Sequence, residues 1–148
     1  LAGFLILLAR PSNGLERVMT FVVLVGCNDT FAYLTGVLFG KHPLAPKISP
    51  KKTWEGFIGG LVFASIGSAL AFYYLLDYHP VMGAVAGFAG VLAATVGDLV
   101  ESAIKRDLSI KDMGTLLPGH GGMLDRIDSV LITAPILWCC IELLKRFA

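Results

Sequence analysis

Charged residues are scarce in this chain of 148 residues. Asp, Glu, Lys and Arg make up 16% of it, whereas hydrophobic residues make up 55%. A soluble globular domain usually has about a quarter of its residues charged. The low charge therefore favours lipid as the solvent of most of the chain. The net charge is only +1, so overall charge gives no reason to expect a nucleic-acid partner.

Cysteine, histidine and several well-known motifs are also scarce or missing. The three cysteines lie in apolar stretches without a second pair at metal-binding spacing, so neither a disulfide framework nor a zinc site is predicted. The three histidines are too scattered to form a ligand set by themselves. The sequence contains no Walker lysine motif, no dinucleotide-binding glycine pattern and no HExxH pair, which excludes the familiar nucleotide-binding folds as the source of its chemistry.

Alternating strand patterns of the kind used by outer-membrane barrels are absent as well. Instead, long apolar runs lie at approximately residues 15–40, 54–76, 81–104 and 127–146, close to the ~20 residues with which a helix crosses a bilayer. Backbone groups in hydrocarbon must be hydrogen-bonded within their own segment, so these runs are expected to be helices. We therefore predict an all-α protein, a polytopic transmembrane helical bundle with polar cytoplasmic loops.

A shorter apolar run, LAGFLILLA, opens the sequence. No basic residue precedes it and no small-residue cleavage pattern follows it, so a signal peptide is not favoured. We expect residues 1–148 to form a single membrane-embedded region that is truncated at its N-terminus within a membrane helix.

Glycines recur at four-residue spacing inside the apolar runs, as in Gly36 and Gly40 or Gly56 and Gly60. Small residues at this spacing allow helix backbones to approach closely. A transport function is the alternative interpretation, but close packing is the more general cause and is predicted here.

A basic segment, KHPLAPKISPKKT, lies between the first two long runs. It has four lysines, no acidic residue and three prolines, which argue against a helix. If the runs alternate in direction, eight of the 12 lysines and arginines lie on its side of the membrane, which places the charged loops in the cytoplasm. Its lysines are open to three interpretations: an anionic-lipid anchor, a topology signal or a ligand site. The helix predicted from Trp54 would also offer free backbone amides to a phosphate.

Nine of the chain's 23 charged residues lie between Glu101 and Asp128. Salt bridges at a solvent-exposed helix end could account for such a cluster. So many ionisable groups at a membrane edge nevertheless favour a functional site. Oxygen ligands of this kind suit a hard cation, with Mg²⁺ preferred where phosphates supply further ligands. Helical spacing places four polar residues on one stripe at the end of the third long run: Asp98, Glu101, Ser102 and Lys105. Two more acids lie three residues apart at the start of the last run: Asp125 and Asp128.

Asp29 lies near the middle of the first long run, next to Asn28. A carboxylate at that depth costs about 2.5 to 3.5 kcal/mol on insertion scales. Asp29 is therefore expected to face a polar cavity. A hydrogen bond that only holds two helices together is the alternative.

The residues from Ser102 to Asp128 resemble the signature of the phosphatidate cytidylyltransferase family, also called CDP-diacylglycerol synthases. The matching positions are Ser102, Lys105, Arg106, Lys111, Asp112, Gly114, Leu117, Pro118, His120, Gly121, Gly122, Asp125, Arg126 and Asp128. The stretch NDTFAYLTGVLFGKHPLAPKISPKKTWEG extends the resemblance to most of the chain, as the C-terminal half of the family.

The resemblance implies that the phosphate of phosphatidic acid attacks the α-phosphorus of CTP, releasing pyrophosphate and forming CDP-diacylglycerol. It implies Mg²⁺ as the cofactor, with a second cation left open. CTP, phosphatidic acid and the lipid bilayer are the implied partners, a homo-oligomer is left open and nucleic acid is not expected. The implied location is a bacterial inner membrane, with the active-site loops in the cytoplasm.

The resemblance also implies roles for individual residues. Those implied to be catalytic are Asp98, Glu101, Lys105, Asp125 and Asp128, with Asp98 and Asp125 as metal ligands. Those implied to bind substrate are Asn28, Asp29, Ser49, Lys51, Lys52, Ser102, Arg106, Lys111, Asp112, His120, Gly121, Gly122 and Arg126.

Two alternatives remain at this point. An ion-coupled transporter would use Asp29 and Asp98 as proton or cation sites within its helices. A related CTP-dependent enzyme would act on a polyprenol or an ether lipid instead of phosphatidic acid.

Overall fold

The computed structural model describes residues 3–46, 49–107 and 124–147; within these ranges the side chains of residues 50, 51, 105, 124–131 and 144–147 are not described. The described elements are α1 (Gly3–Ala9), α2 (Gly14–Phe39), β1 (Pro43–Ala45), β2 (Ser49–Thr53), α3 (Trp54–Leu76), α4 (Pro80–Asp107) and α5 (Leu124–Phe147). The prediction of a helical bundle is confirmed.

Among the described residues, three helices are long and apolar enough to cross a membrane: Gly14–Phe39, Trp54–Leu76 and Pro80–Ile104. They match the first three predicted spans to within a few residues. The fourth predicted span coincides with α5, but the apolar part found among its described residues, Ile132–Leu143, is shorter than a span. A fourth crossing of the membrane remains a prediction.

Glycines on α3 allow it to lie against the backbone of α2. A Cβ atom added at Gly59 would be 2.1 Å from Thr35 Oγ1, and one added at Gly56 would be 2.8 Å from the carbonyl oxygen of Ala32. Each glycine therefore occupies a place where a larger residue would push the helices apart. The predicted packing role is confirmed for Gly56, and Gly59 is a further position of the same kind.

Glycines also allow close contact between α3 and α4 and between α4 and α5. On α4, a Cβ atom added at Gly83 would be 2.5 Å from the carbonyl oxygen of Ser68 on α3, and one added at Gly97 would be 2.3 Å from Ile132 Cδ1 on α5. The most extensive helix contacts are accordingly between consecutive helices, α2 with α3, α3 with α4 and α4 with α5. Consecutive helices run in alternating directions. The end of α2, the start of α3, the end of α4 and the start of α5 therefore lie on one side of the bundle.

An ion pair with one buried partner lies at the opposite end of the bundle. Arg17 near the start of α2 is 1% exposed, and its Nη1 atom is 3.2 Å from Oε1 of Glu142 near the end of α5. It adjoins a core that includes Leu24, Phe72 and Leu137, each 1% exposed or less. The pair therefore links the ends of two helices that are far apart in sequence.

The basic segment forms a short hairpin instead of an irregular loop. β1 pairs antiparallel with β2, with Pro43 opposite Thr53 and Ala45 opposite Ser49, and the register is irregular between these pairs. The predicted absence of a helix is confirmed, but the two strands were not predicted. They are too short for an alternating pattern to stand out, and they contain prolines, which two-stranded edges tolerate.

Candidate functional site

A cavity of about 540 Å³ lies between α2, α3, α4 and the hairpin, on the side where the hairpin lies. Its walls are amphipathic. The polar side chains that line it are Asn28, Asp29, Lys52, Thr53, Thr95 and Asp98, and the larger apolar ones are Tyr33, Val37, Leu44 and Phe57. A volume of this size is ordinary for a small-molecule site.

Lys52 and Asp98 form an ion pair in the wall of this cavity. Lys52 is the penultimate residue of β2, and Asp98 lies in the last third of α4. Their side chains are 33% and 31% exposed, so both remain accessible to a bound molecule. The pair places a cation and a carboxylate side by side at the edge of a membrane-spanning helix.

Asn28 and Asp29 form the polar part of the α2 wall. The Nδ2 atom of Asn28 donates a hydrogen bond to Oδ1 of Asp29 over 3.1 Å. Asp29 is exposed to the cavity although it lies well inside a helix long enough to span a membrane. The expectation that Asp29 faces a polar cavity agrees with this position.

Thr53 fixes the start of α3 beside the cavity. Its Oγ1 atom accepts a hydrogen bond from the amide of Gly56 at 3.2 Å, which is the usual N-cap arrangement. The amide of Trp54 donates to the carbonyl oxygen of His42 over 3.0 Å. Two of the first three amides of α3 are thus already bonded. The expectation of free amides for a phosphate is wrong for these two, because the hairpin and the cap satisfy them first.

The hairpin is also held to α3 by side chains. Nδ1 of His42 is 2.7 Å from Oε1 of Glu55, in the first turn of α3. The amide of His42 donates to the other carboxylate oxygen of Glu55 over 3.3 Å. These contacts position β2, and with it Lys52, over the cavity.

Not all residues of the polar stripe predicted on α4 line the cavity in the structure. Asp98 lines the cavity, whereas Glu101 is 8% exposed and is not among the cavity-lining residues. Ser102 is half-buried and Arg106 is exposed, and neither lines the cavity. Lys105 lies on α4, but its side chain is outside the described part.

The remaining predicted site residues lie outside the cavity lining or outside the described residues. Ser49 is half-buried on β2, and Lys51 lies on the same strand with its side chain not described. The first turns of α5 contain Asp125, Arg126 and Asp128, whose side chains are likewise not described. The predicted residues outside the described ranges are Lys111, Asp112, His120, Gly121 and Gly122. The meeting of Asp98 with Asp125 remains a prediction.

Sequence reasoning did not assign a site role to several cavity residues. Tyr33 lies four residues after Asp29 and Thr95 lies three before Asp98, so helical spacing from the two acids would have found both. Phe57 and Leu44 had no such signal, because the hairpin and the approach of α3 bring them to the cavity.

Within the described residues, no three His, Cys, Asp or Glu side chains are grouped as a metal site. Two carboxylates, Asp29 and Asp98, do line the same cavity. Mg²⁺ commonly takes one or two carboxylates and completes its coordination with water and substrate phosphates. The donor set therefore fits an ion that arrives with a phosphorylated ligand better than one held by protein alone.

Comparison with known sequences decides the family. The profile described as the Cytidylyltransferase family matches residues 1–144. The chain belongs to this family. Its curated relatives include the phosphatidate cytidylyltransferase of Mycobacterium leprae, which is 50% identical over 143 residues, 97% of this chain and 46% of that protein. That of Mycobacterium tuberculosis is 48% identical over 138 residues, 93% of this chain and 42% of that protein.

The relationship extends beyond mycobacteria. The phosphatidate cytidylyltransferase of Staphylococcus aureus is 44% identical over 137 residues, 91% of this chain and 52% of that protein. The chain spans about half the length of the curated relatives it matches. Its membership of the cytidylyltransferase family agrees with the resemblance seen in the sequence.

Proposed function

We propose that this protein transfers CMP from CTP to phosphatidic acid, giving CDP-diacylglycerol and pyrophosphate. The observation that carries the proposal is the amphipathic cavity in which Lys52 and Asp98 lie together at the end of membrane-spanning helices. Its relatives are named for this reaction. A membrane lipid and a water-soluble nucleotide must meet in such an enzyme, and a cavity with apolar and polar walls suits both.

The reaction needs no nucleophile from the protein. An oxygen of the lipid phosphate forms the new bond to the α-phosphorus of CTP, and the bond from that phosphorus to the bridging oxygen of the β-phosphate breaks. Catalysis of this kind depends mainly on positioning the two phosphates and on offsetting their charge. The cavity offers groups for both tasks.

Lys52 supports the proposal as a phosphate-binding residue. Its ammonium group pairs with Asp98 and is one-third exposed, so it can exchange part of that contact for a phosphate oxygen. Thr53 and the His42–Glu55 contact hold the strand that carries it. Lys52 would thus bring positive charge to the reacting phosphates from a fixed support.

Asp98 would hold Mg²⁺ together with Asp125 from the start of α5. When bound, Mg²⁺ offsets the charge of the phosphate oxygens and orients them. A second cation is compatible with the same charge requirement. Glu101 and Asp128 would orient these ligands, and Lys105 would offset phosphate charge.

The other basic and polar residues complete the proposal. Arg106, Lys111 and Arg126 would stabilise the triphosphate and the departing pyrophosphate, and His120 with the glycines beside it would shape the nucleotide site. Further residues would contact the substrates: Ser49, Lys51, Ser102 and Asp112. We place the protein in the bacterial inner membrane, as its bacterial relatives suggest. Its charged loops would lie in the cytoplasm, because eight of the 12 lysines and arginines fall on the side of the basic segment if the long apolar runs alternate in direction.

The test is a lipid-product assay with membranes that contain the protein, labelled phosphatidic acid and either CTP or ATP. Labelled CDP-diacylglycerol should form with CTP only, and Asp125→Asn should abolish it. Conversion of a polyprenol or an ether lipid in preference to phosphatidic acid would identify a related enzyme instead. Uptake of a solute without any liponucleotide would contradict the proposal and indicate a transporter.

A further inference from the structure

One face of α3 carries small residues and packs on the neighbouring helices, and another carries large apolar side chains. The small residues are buried: Gly56, Gly59, Gly60, Ala64, Ser68 and Ala71. The large ones recur every four residues and are each about half exposed: Ile58, Val62, Ile66 and Leu70. Contacts between helices in a membrane favour small residues, whereas lipid chains are as apolar as leucine. The exposed face of α3 is therefore suited to lipid rather than to another helix.

Exposed aromatic side chains lie at both ends of this face. Trp54 is 49% exposed at the first residue of α3, and Tyr73 and Tyr74 are 55% and 74% exposed in its last turn. At 1.5 Å per residue, these two ends are about 30 Å apart, which is the thickness of the hydrocarbon core of a bilayer. Trp and Tyr are enriched at both membrane–water interfaces. The aromatic residues of α3 thus mark the two interfaces.

The Lys52–Asp98 ion pair lies next to one of these boundaries. Lys52 is two residues before Trp54, and the amide of Trp54 is held by the carbonyl oxygen of His42. A strand rises about 3.3 Å per residue, so Lys52 lies at most about 7 Å beyond Trp54. The headgroup layer on each side of the hydrocarbon core is about 5–7 Å thick. The pair therefore lies at the level of this layer.

We propose that the membrane–water interface on the hairpin side passes through Trp54, so that the Lys52–Asp98 pair lies among the phosphates of the lipid headgroups. This inference rests on the proposed function, since it takes phosphatidic acid in a bilayer as the substrate. The lipid phosphate can then reach Lys52 while its acyl chains stay in their leaflet, and a nucleotide can reach the same pair from water. The exposed face of α3 contacts the acyl chains.

The depth of Trp54 in a bilayer tests the inference. The chain has two tryptophans, so Trp138→Phe leaves Trp54 as the fluorophore. The ring of Trp138 packs on Phe4, and phenylalanine keeps an aromatic ring there. The protein is placed in phosphatidylcholine vesicles whose acyl chains carry bromine, a contact quencher of tryptophan, at a shallow, middle or deep position. The shallow bromine should quench most strongly and place Trp54 about 15 Å from the bilayer centre, half the thickness of the hydrocarbon core.

A tryptophan at Ile66 is the matched control. Ile66 lies on the same face and is 51% exposed, about 18 Å further along α3 at 1.5 Å per residue. Ile66→Trp is made in a protein that also carries Trp54→Phe and Trp138→Phe. Its tryptophan should lie about 3 Å from the bilayer centre and be quenched most strongly by the deep bromine.

Three results would overturn the inference. Equal depths for the two probes would mean that α3 does not cross the bilayer as inferred. Weak quenching of both probes by every brominated lipid would mean that another protein surface covers this face of α3. Weak quenching of Trp54 alone, with emission typical of tryptophan in water, would place the hairpin and Lys52 outside the headgroup layer. The measurement needs neither substrate nor activity, so failure of the proposed reaction would leave its result unchanged.

Discussion

Lys52 on the second strand of the hairpin and Asp98 on α4 form an ion pair that joins the basic segment to a membrane-spanning helix. The pair is accessible from a cavity that also contains Asp29. A cation and two carboxylates in one amphipathic cavity are suited to binding phosphates with the help of a divalent ion.

Replacing Lys52 should weaken phosphate binding. Lys52→Met removes a charge-assisted contact, so kcat/KM for CTP in the lipid-product assay should fall about 10- to 100-fold. Lys52→Arg should retain more activity, because the positive charge remains. Lys41→Met is the control, since Lys41 is exposed and does not line the cavity. Wild-type activity in Lys52→Met would argue against the proposed role.

Removal of divalent cations should abolish product formation. The described cavity lining has two carboxylates and one lysine, and two phosphorylated substrates would add further negative charge. EDTA should therefore stop the reaction and excess Mg²⁺ should restore it. In Asp98→Asn, residual activity should require a higher concentration of free Mg²⁺. A variant with reduced activity but the wild-type Mg²⁺ dependence would show that Asp98 acts in another way.

Close packing of α2 and α3 predicts a sharp difference between two glycine substitutions. Gly59→Ala places a Cβ atom 2.1 Å from Thr35 Oγ1, so it should destabilise the fold by about 1–3 kcal/mol. Gly26→Ala meets nothing within 4 Å and should be neutral or stabilising, since alanine favours a helix. Unfolding of both variants in mixed detergent micelles measures the difference. Equal stability would contradict the observed approach of the helices.

The Arg17–Glu142 pair predicts coupling between the two ends of the chain. Arg17 is 1% exposed, and Glu142→Ala would leave its charge buried without this partner, at a cost of about 1–3 kcal/mol once the partial exposure of Glu142 is considered. Arg17→Met in the same protein should recover part of that loss. A double-mutant cycle on unfolding free energy measures the coupling, expected at about 0.5–3 kcal/mol. Strictly additive effects would mean that the pair contributes no stability.

The local sequence pattern was sufficient to predict the long helices. The long apolar runs, the glycines at four-residue spacing and the prolines of the basic segment each predict a feature that the structure confirms. Such features depend on neighbouring residues and on the requirement that backbone groups in lipid be bonded within their own helix.

Candidate site residues could be selected from the sequence, but which of them line the same cavity could not be predicted from it. Asp29 stood out because a carboxylate is costly within an apolar run. Its place in one cavity with Lys52 and Asp98, and the separation of Asp98 from the buried Glu101, depend on how three helices and a hairpin approach each other.

The sequence by itself thus determined the membrane-helical class, the approximate positions of the three long apolar helices and the candidate polar residues, because composition and periodicity act over a few turns of one helix. Only the tertiary structure decided that the basic segment is a hairpin over a cavity, that the first amides of α3 are partly satisfied, and that Lys52 pairs with Asp98. These contacts join residues distant in sequence, and their formation depends on the packing of complete helices rather than on any local preference.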